Sequence, residues 1–188
     1  MKTKNIQRVA LVGGGVIGSG WATRCLAHGL SVVVTDPSPA AAEMVLKTVD
    51  SAWPILEGAG LGEKADRSKL EFAPDIETAV ADADFVQENV PEREELKIAV
   101  HEEIGRHAKD DIVVASSSSG LLPSRLQSRC RRPERLVIGH PFAPVYLLPL
   151  VEVVGGEQTS LEFVRAAGAF YRKIGMRPLH VRKEIEAY

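Results

Sequence analysis

The strongest constraint on the fold is the alternation of short apolar runs with longer amphipathic segments along all 188 residues. The short runs, rich in Val and Ile, predict strands at residues 8–12, 31–35, 69–73, 84–88, 112–115, 136–140, 150–154 and 178–181. The amphipathic segments predict helices at residues 16–28, 39–57, 75–81, 91–107, 123–129 and 159–174. Strands that alternate with helices are typical of βαβ units, and continuous apolar strands indicate helices on both faces of the sheet. We therefore predict an α/β fold: a Rossmann-type, doubly wound, mostly parallel sheet.

Two segments depart from the simplest alternation. The helix predicted at residues 39–57 continues into a glycine-rich turn at 58–62 and a polar stretch at 63–68, which predicts a helical excursion after the second strand. Residues 184–188 have the pattern of a helix start without a glycine stop. We expect one domain over residues 1–182 and, over residues 183–188, the start of a second, helical domain that the chain does not complete.

Composition and charge exclude several classes of protein. The chain is 45% hydrophobic and 26% charged, which argues against disordered, collagen-like and coiled-coil proteins. Its net charge of −2 gives no basic field for nucleic acid or an anionic membrane. No apolar run approaches the roughly 18 residues of a membrane span, and the two cysteines form no paired metal motif. We expect a cytoplasmic globular protein without a nucleic-acid partner, a membrane partner or a metal.

A glycine-rich turn follows the first predicted strand and opens the first predicted helix. It matches the pattern G-x-G-x-x-G, in which Gly13 permits the bend, Gly15 lets a pyrophosphate approach the backbone, and Gly18 packs helix against strand. The helix N-terminus adds N–H groups and a positive dipole end. The sequence therefore predicts a dinucleotide site at this turn. Its predicted cofactor contacts are Gly13, Gly15, Val16, Ile17 and Gly18.

An acidic residue closes the second predicted strand. Asp36 lies 18 positions after Gly18, where a carboxylate accepts hydrogen bonds from the adenosine ribose and repels a 2′-phosphate. NAD is therefore favoured over NADP. The alternative role of Asp36 is that of a turn-forming residue before Pro37. A P-loop is the competing phosphate site, but no lysine follows Gly18 in the position that would reach terminal phosphates.

Polar residues lie at or near the ends of three later strands, where ligands bind in open α/β sheets. Four serines at 116–119 follow one strand, His140 ends the next, and Glu152 lies twelve positions after the histidine. These groups suit the oxidation of an alcohol: an imidazole takes the hydroxyl proton, a carboxylate fixes the tautomer, and a hydroxyl holds the substrate oxygen. The residues alone leave open a structural histidine, serines that cap a helix, and a solvated glutamate.

Five stretches spread along the chain carry a family resemblance. They are residues 14–21, 87–93, 119–124, 139–154 apart from Ala143, and 175–184. They resemble the N-terminal domain of the 3-hydroxyacyl-CoA dehydrogenase superfamily. The stretch around His140–Val154 is most similar to the L-carnitine dehydrogenase branch, and it favours that branch over acyl-CoA relatives.

The resemblance implies an NAD-dependent oxidoreductase that converts the 3-hydroxyl of L-carnitine to a ketone and, at full length, forms a homodimer. It implies that His140 is the catalytic base, that Glu152 is its partner, and that Ser119 binds the substrate oxygen. It also places Glu92 and Lys97 at the nicotinamide-side ribose. The alternative for the charged residues from Glu92 onward is the acidic first turn of a helix.

Other functions stay open at this point. The enzyme alternatives are a 3-hydroxyacyl-CoA or an L-gulonate dehydrogenase, and the alternative from another class is a non-catalytic NAD-binding module. Aromatic faces can hold the quaternary ammonium of carnitine, although each aromatic residue also suits core packing. The aromatic candidates are Trp21, Trp53, Phe142 and Tyr146.

Two departures from the family bear on activity. Ala143 stands where the family has an asparagine, and a methyl group can neither donate nor accept a hydrogen bond. Family members also continue into a mainly helical domain that closes the substrate cleft. We therefore expect the 188-residue chain to bind NAD and to turn over little or no carnitine.

Overall fold

One sheet of eight strands organises the computed structural model, which describes residues 5–185. The strands are β1 (Arg8–Val12), β2 (Ser31–Thr35), β3 (Leu70–Phe72), β4 (Phe85–Glu88), β5 (Val113–Ser116), β6 (Leu136–Pro141), β7 (Leu150–Gly155) and β8 (Arg177–Val181). Their order across the sheet is β3-β2-β1-β4-β5-β6-β7-β8, and only the β6–β7 pair is antiparallel. The predicted mostly parallel α/β sheet is confirmed, and each strand bound lies within one residue of its prediction.

The helices also follow the predicted order. They are α1 (Val16–Ala27), α2 (Ala41–Gly58), α3 (Ile76–Val80), α4 (Glu94–His107), α5 (Pro123–Leu126) and α6 (Leu161–Lys173). α4 begins three residues later than predicted because Pro91 and Arg93 form a separate turn, closed by a backbone hydrogen bond of 2.7 Å. The helix predicted at 123–129 is divided into α5 and a 3-10 turn at Gln127–Arg129.

Helices cover both faces of the sheet. On β1, Val9 and Leu11 pack in the cluster that contains α1, α2 and α6, whereas Ala10 and Val12 pack in the cluster that contains α3 and α4. This alternation follows from the two-residue period of a strand, and it explains why β1 is apolar throughout. The fold is therefore doubly wound.

The strand order places a ligand site beside β1. β2 and β3 lie on one side of β1, and β4, β5 and β6 lie on the other, so the winding direction reverses between β1 and β4. In open α/β sheets, ligands bind beyond the carboxyl ends of the strands at such a switch point. The glycine turn and the segments that follow β4, β5 and β6 all reach this edge.

The two segments singled out in the sequence have different outcomes. The excursion consists of α2, which packs along α1, and a loop at 59–66 that returns to α1 through a hydrogen bond of 3.2 Å from Asp66 N to Leu26 O. Near the end of the chain, Glu184 and Ile185 are not helical. The rest of the helix start predicted at 184–188 lies outside the described residues. Between residues 5 and 185, no helix has the length and apolar character needed to cross a membrane.

Candidate active site

A cavity of about 830 Å³ opens at the carboxyl ends of β1, β2, β4, β5 and β6. Of the predicted site residues, those that line it are Gly13, Gly15, Val16, Ile17, Asp36, Glu92, Lys97, Ser119 and His140. Gly18 and Glu152 do not line the cavity, but each lies directly behind a residue that does. The sheet therefore brings the predicted nucleotide-binding turn, Ser119 and His140 to one cavity, and Glu152 lies behind the histidine.

The glycine turn has the geometry that close packing requires. Gly13 has a φ of 102°, and a Cβ there would lie 2.8 Å from the carbonyl carbon and oxygen of Asn89. A Cβ on Gly18 would lie 1.9 Å from Gly13 O. At Gly15, by contrast, no described atom beyond its neighbours along the chain lies within 4 Å of a Cβ position, so this backbone is open to a ligand.

The start of α1 supplies hydrogen-bond donors to the same opening. Gly15 is its N-cap and offers no side-chain cap, and the first turn carries no acidic residue. The first N–H groups of a helix have no intrahelical acceptor, and they favour anions. These donors fit the pyrophosphate of a dinucleotide.

Asp36 combines the two roles that the sequence left as alternatives. Its carboxylate accepts hydrogen bonds from Gly14 N at 2.7 Å and from Ser38 N at 2.8 Å, which fixes the turn after β2. The same side chain borders the cavity. Because each carboxylate oxygen has two lone pairs, both oxygens keep acceptor capacity for the hydroxyls of a ribose.

His140 and Glu152 form a cross-strand pair. They are register partners in the antiparallel β6–β7 ladder, and Nδ1 of His140 lies 2.9 Å from Oε2 of Glu152. Each side chain is only 16% exposed. A carboxylate at Nδ1 keeps the hydrogen on that nitrogen, which leaves the Nε2 lone pair as a base. The ring of Phe142 lies 5.2 Å from the imidazole.

The serine loop leaves one hydroxyl for a ligand. The other three donate to side chains that follow β4 or end it: Ser116 to Glu88 (2.5 Å), Ser117 to Asn89 (2.8 Å) and Ser118 to Glu92 (2.5 Å). Ser119 is exposed, and its hydroxyl forms no hydrogen bond with any described residue. Three serines are therefore structural, although they bond side chains at or after the end of β4 instead of capping a helix, while Ser119 shares the cavity with His140.

Glu92 and Lys97 lie together at the cavity wall. Glu92 Oε1 accepts hydrogen bonds from the backbone N–H groups of Ser119 (3.0 Å) and Gly120 (3.2 Å), so it holds the serine loop in place. Lys97 is 1% exposed, with Nζ 2.7 Å from Glu88 and 3.5 Å from Glu92. It is thus a buried cation rather than part of a solvated helix turn.

Sequence reasoning missed two members of this charged group, Glu88 and His101. Both side chains are fully buried, and His101 Nε2 lies 3.2 Å from Glu88 Oε2. Burial alone raises the pKa of Glu88, but the His101 imidazole and the Lys97 ammonium more than offset this and lower it to about 2. The spacing of Lys97 and His101, four residues apart on one helix face, was the available signal.

Comparisons with known proteins identify the family of this chain. The family model described as "3-hydroxyacyl-CoA dehydrogenase, NAD binding domain" matches residues 8–185. The L-carnitine dehydrogenase of Burkholderia mallei is 55% identical over 183 residues, which make up 97% of this chain and 57% of that protein. The L-carnitine dehydrogenase of Bacillus cereus is 49% identical over 188 residues, or 100% of this chain and 58% of that protein. The chain thus spans less than two thirds of the length of these relatives.

Solved structures support the same assignment. The NAD+-dependent dismutase 5-formyl-3-hydroxy-2-methylpyridine 4-carboxylic acid 5-dehydrogenase aligns with a TM-score of 0.89 and 35% identity. The alignment covers 97% of this chain and 59% of that chain. The 3-hydroxybutyryl-CoA dehydrogenase of Escherichia coli aligns with a TM-score of 0.86 and 27% identity, over 94% of this chain and 38% of that chain. With the family model covering nearly every described residue, the chain belongs to the NAD-binding domain family of the 3-hydroxyacyl-CoA dehydrogenases.

Proposed function

We propose that the protein containing this chain oxidises the 3-hydroxyl of L-carnitine to 3-dehydrocarnitine with NAD. The observation that carries the proposal is the His140–Glu152 pair, whose histidine lines the same cavity as an open glycine turn. The L-carnitine dehydrogenases at 55% and 49% identity support the choice of substrate.

The residues divide the reaction between them. When bound, NAD accepts the hydride that leaves the substrate carbon. Nε2 of His140 takes the hydroxyl proton, and Glu152 stabilises the resulting imidazolium through Nδ1. The exposed hydroxyl of Ser119 donates a hydrogen bond to the substrate oxygen. One proton and one hydride therefore leave the alcohol, which becomes a ketone.

The cofactor lies along the switch point in this proposal. Gly13, Gly15, Val16, Ile17 and Gly18 would hold its pyrophosphate, and Asp36 would accept hydrogen bonds from the adenosine ribose. Lys97 and Glu92 would hold the nicotinamide-side ribose. Two of the three Lys97 donors bond Glu88 (2.7 Å) and Val90 O (2.9 Å), so the third is directed by the fold toward Glu92 and the cavity.

The charge of the cavity suits a substrate that carries a cationic group. Its wall holds the carboxylates Asp36, Asp75, Glu92 and Glu103, while the ammonium of Lys97 is neutralised by Glu88. These carboxylates attract a trimethylammonium group.

An aromatic side chain near the base supports the same choice. Trp21 and Trp53 are buried in the core, so they cannot contact the substrate. Tyr146 lines a different cavity, together with Arg24 and His28. Phe142, which is 37% exposed, lies beside His140 as a face for the cation.

The wider setting of the protein is also proposed. The exposed apolar side chains of Leu150 and Leu179 lie beside Glu152 on β7 and β8, and they suit coverage by a helical domain beginning near residue 183. We propose that such a domain closes the substrate cleft, that the complete protein is a homodimer, and that it works in the cytoplasm.

The test is NADH production from L-carnitine by the full-length protein. His140→Ala should lower kcat by roughly 10²–10⁴-fold, the range of a general base. The matched control is His180→Ala on β8, an exposed histidine that should leave kcat unchanged. Undiminished activity of His140→Ala would remove the imidazole from the mechanism.

Two further outcomes separate the alternatives. A substrate panel with a 3-hydroxyacyl-CoA and L-gulonate would reassign the enzyme if either were the better substrate. Calorimetric binding of NAD by the full-length protein without turnover of any of them would favour a non-catalytic module.

A further inference from the structure

A second buried polar cluster, which the catalytic proposal does not use, lies beneath the strand that carries His140. It consists of Gln87, Ser117, Asn89, Trp21 and Tyr171, and we name it the Gln87 cluster. Gln87 lies next to Glu88 on β4, so its side chain points to the opposite face of the sheet, toward α1 and α6. Ser117 and Asn89 also line the cavity. The cluster therefore connects the core to the cofactor site.

The inner part of the cluster fixes Gln87. The Tyr171 hydroxyl donates to Gln87 Oε1 at 2.7 Å, and Gln87 Nε2 donates to Ser117 Oγ at 2.9 Å and to Gly139 O at 3.3 Å. A Cβ on Gly139 would lie 1.8 Å from the Tyr171 hydroxyl, so the tyrosine passes directly under the residue before His140. Both the oxygen and the nitrogen of the Gln87 amide are thus held by hydrogen bonds, which fixes the orientation of the amide.

Ser117 links the Gln87 amide to the Asn89 amide through its hydroxyl group. Its oxygen accepts hydrogen bonds from Trp21 Nε1 at 3.1 Å and from Gln87 Nε2 at 2.9 Å. A hydroxyl has two lone pairs and one hydrogen, so the hydrogen of Ser117 goes to its remaining partner, Asn89 Oδ1, at 2.8 Å. The neighbours of Ser117 therefore determine which end of the Asn89 amide is oxygen.

Asn89 keeps one donor for a ligand. Its Nδ2 donates to Gln87 O at 3.0 Å, and within residues 5–185 its second hydrogen has no acceptor. Nδ2 lies 3.5 Å from the Cβ position of Gly18, which places the amide beside the start of α1. An N–H donor at this place faces the edge where the glycine turn and helix N-terminus favour an anion.

We propose that Asn89 is a further cofactor-binding residue, which donates from Nδ2 to an oxygen of the bound dinucleotide, and that Ser117 is its positioning residue. The inference rests on the NAD site of the proposed function. It adds that the neutral side chains of Gln87, Tyr171 and Trp21 set the orientation of the donor. Trp21 is then a built-in reporter, because its indole N–H shares Ser117 with Asn89.

The first test is calorimetric titration of the 188-residue chain with NAD. Asn89→Ala should weaken binding about tenfold, as expected for loss of one hydrogen bond to a charged ligand. Ser117→Ala should weaken it several-fold, since the Asn89 amide is then no longer held in one orientation. Ser117→Thr, which keeps the hydroxyl, should restore the wild-type affinity. This rescue distinguishes positioning from a loss of packing.

The second test uses the indole N–H resonances of the two tryptophans. Saturation with NAD should shift the Trp21 resonance in the wild-type chain, with Trp53 on α2 as the internal control. In Asn89→Ala at saturating NAD the Trp21 shift should fall by more than half. Should Asn89→Ala fail to fold, the isosteric Asn89→Asp replaces it, and its carboxylate should weaken NAD binding by more than tenfold through repulsion of the phosphates.

The possible failures are distinguishable. Equal NAD affinity of wild type, Asn89→Ala and Asn89→Asp would overturn this inference while leaving the dehydrogenase proposal intact. Equal affinity of Ser117→Ala and Ser117→Thr would overturn the positioning role. Absence of NAD binding to the wild-type chain would overturn the inference together with the proposed cofactor site.

Discussion

Gln87 and Glu88 are adjacent on β4 and equally buried, yet each is the centre of a different kind of polar cluster. On the face toward α1 and α6, the Gln87 cluster contains neutral groups only. On the face toward α4, Glu88 is a carboxylate that contacts the Lys97 ammonium at 2.7 Å, His101 at 3.2 Å and the Ser116 hydroxyl at 2.5 Å. The end of β4 thus supports the candidate site with neutral hydrogen bonds on one face of the sheet and with buried charges on the other.

This difference predicts which substitutions destabilise the fold most. Each hydrogen bond of a neutral cluster contributes about 0.5–1.5 kcal/mol net, and loss of a partner leaves a polar atom unsatisfied. A buried ion pair is more sensitive to substitution, because removing one partner leaves the other charge buried and unpaired, which costs about 3–5 kcal/mol. Substitutions on the face toward α4, where Glu88 lies, should therefore destabilise the fold more than those in the Gln87 cluster. Of the two clusters, only the one around Glu88 should lose stability in acid.

Removal of the Lys97 side chain should lower the free energy of unfolding most. Lys97→Met should lower the free energy of unfolding by about 3–5 kcal/mol, because the buried Glu88 carboxylate loses its ammonium partner. The double variant Glu88→Gln with Lys97→Met should recover most of that loss, since no charge is then stranded. Urea denaturation of the three proteins provides the measurement.

The control for this experiment is an exposed ion pair. Arg67 and Asp50 are 56% and 67% exposed and lie 3.1 Å apart, so Arg67→Met should cost at most about 1 kcal/mol. A similarly small loss for Lys97→Met would mean that burial does not amplify the pair, and the contrast between the two faces would disappear.

The acid response of Glu88 comes next. Its pKa is lowered from 4.5 to about 2 in the folded chain, so the folded state binds fewer protons there than the unfolded state. This contribution to stability is complete above about pH 4.5 and disappears as the pH falls toward 2. Its size is about 3 kcal/mol, from roughly 1.4 kcal/mol for each unit of pKa difference.

Comparison with Glu88→Gln isolates this effect. The free energy of unfolding should fall more steeply between pH 4.5 and pH 2 in the wild type than in Glu88→Gln, because the other carboxyl groups are common to both proteins. Parallel curves would show that Glu88 does not titrate with the proposed coupling to Lys97 and His101.

The contrast also explains what the sequence could reveal. The glycine turn and Asp36 were predictable because their constraints are local, and parallel strands necessarily bring their carboxyl ends to one edge. His140 was placed at that edge for the same reason. The pairing of His140 with Glu152 was predicted only through the family resemblance. The residues alone could not show it, since it depends on the antiparallel direction and register of β7.

The two clusters were hidden for a different reason. Gln87 and Glu88 appear in the sequence as polar residues at the end of an apolar strand, and nothing local shows that both are buried. Their partners are distant along the chain: Tyr171 is 84 positions from Gln87, and Ser116 is 28 positions from Glu88. The packing of α6 on the sheet brings Tyr171 to Gln87, and the parallel pairing of β4 with β5 brings Ser116 to Glu88.

Substitutions in the Gln87 cluster should change the free energy of unfolding least. Tyr171→Phe removes the donor to Gln87 Oε1 and should lower the free energy of unfolding by about 1–2 kcal/mol. The ring stacks on Trp21 at a centroid distance of 5.4 Å, and this contact survives the change. Burial raises the pKa of Tyr171 well above 10, so the hydroxyl stays protonated and the loss should be the same at pH 3 as at pH 7. Tyr146→Phe, a partly exposed tyrosine, is the matched control and should change stability by less than about 0.5 kcal/mol. A Tyr171→Phe deficit that grew or vanished with acid would place a titrating group in the Gln87 cluster and end the distinction between the two faces.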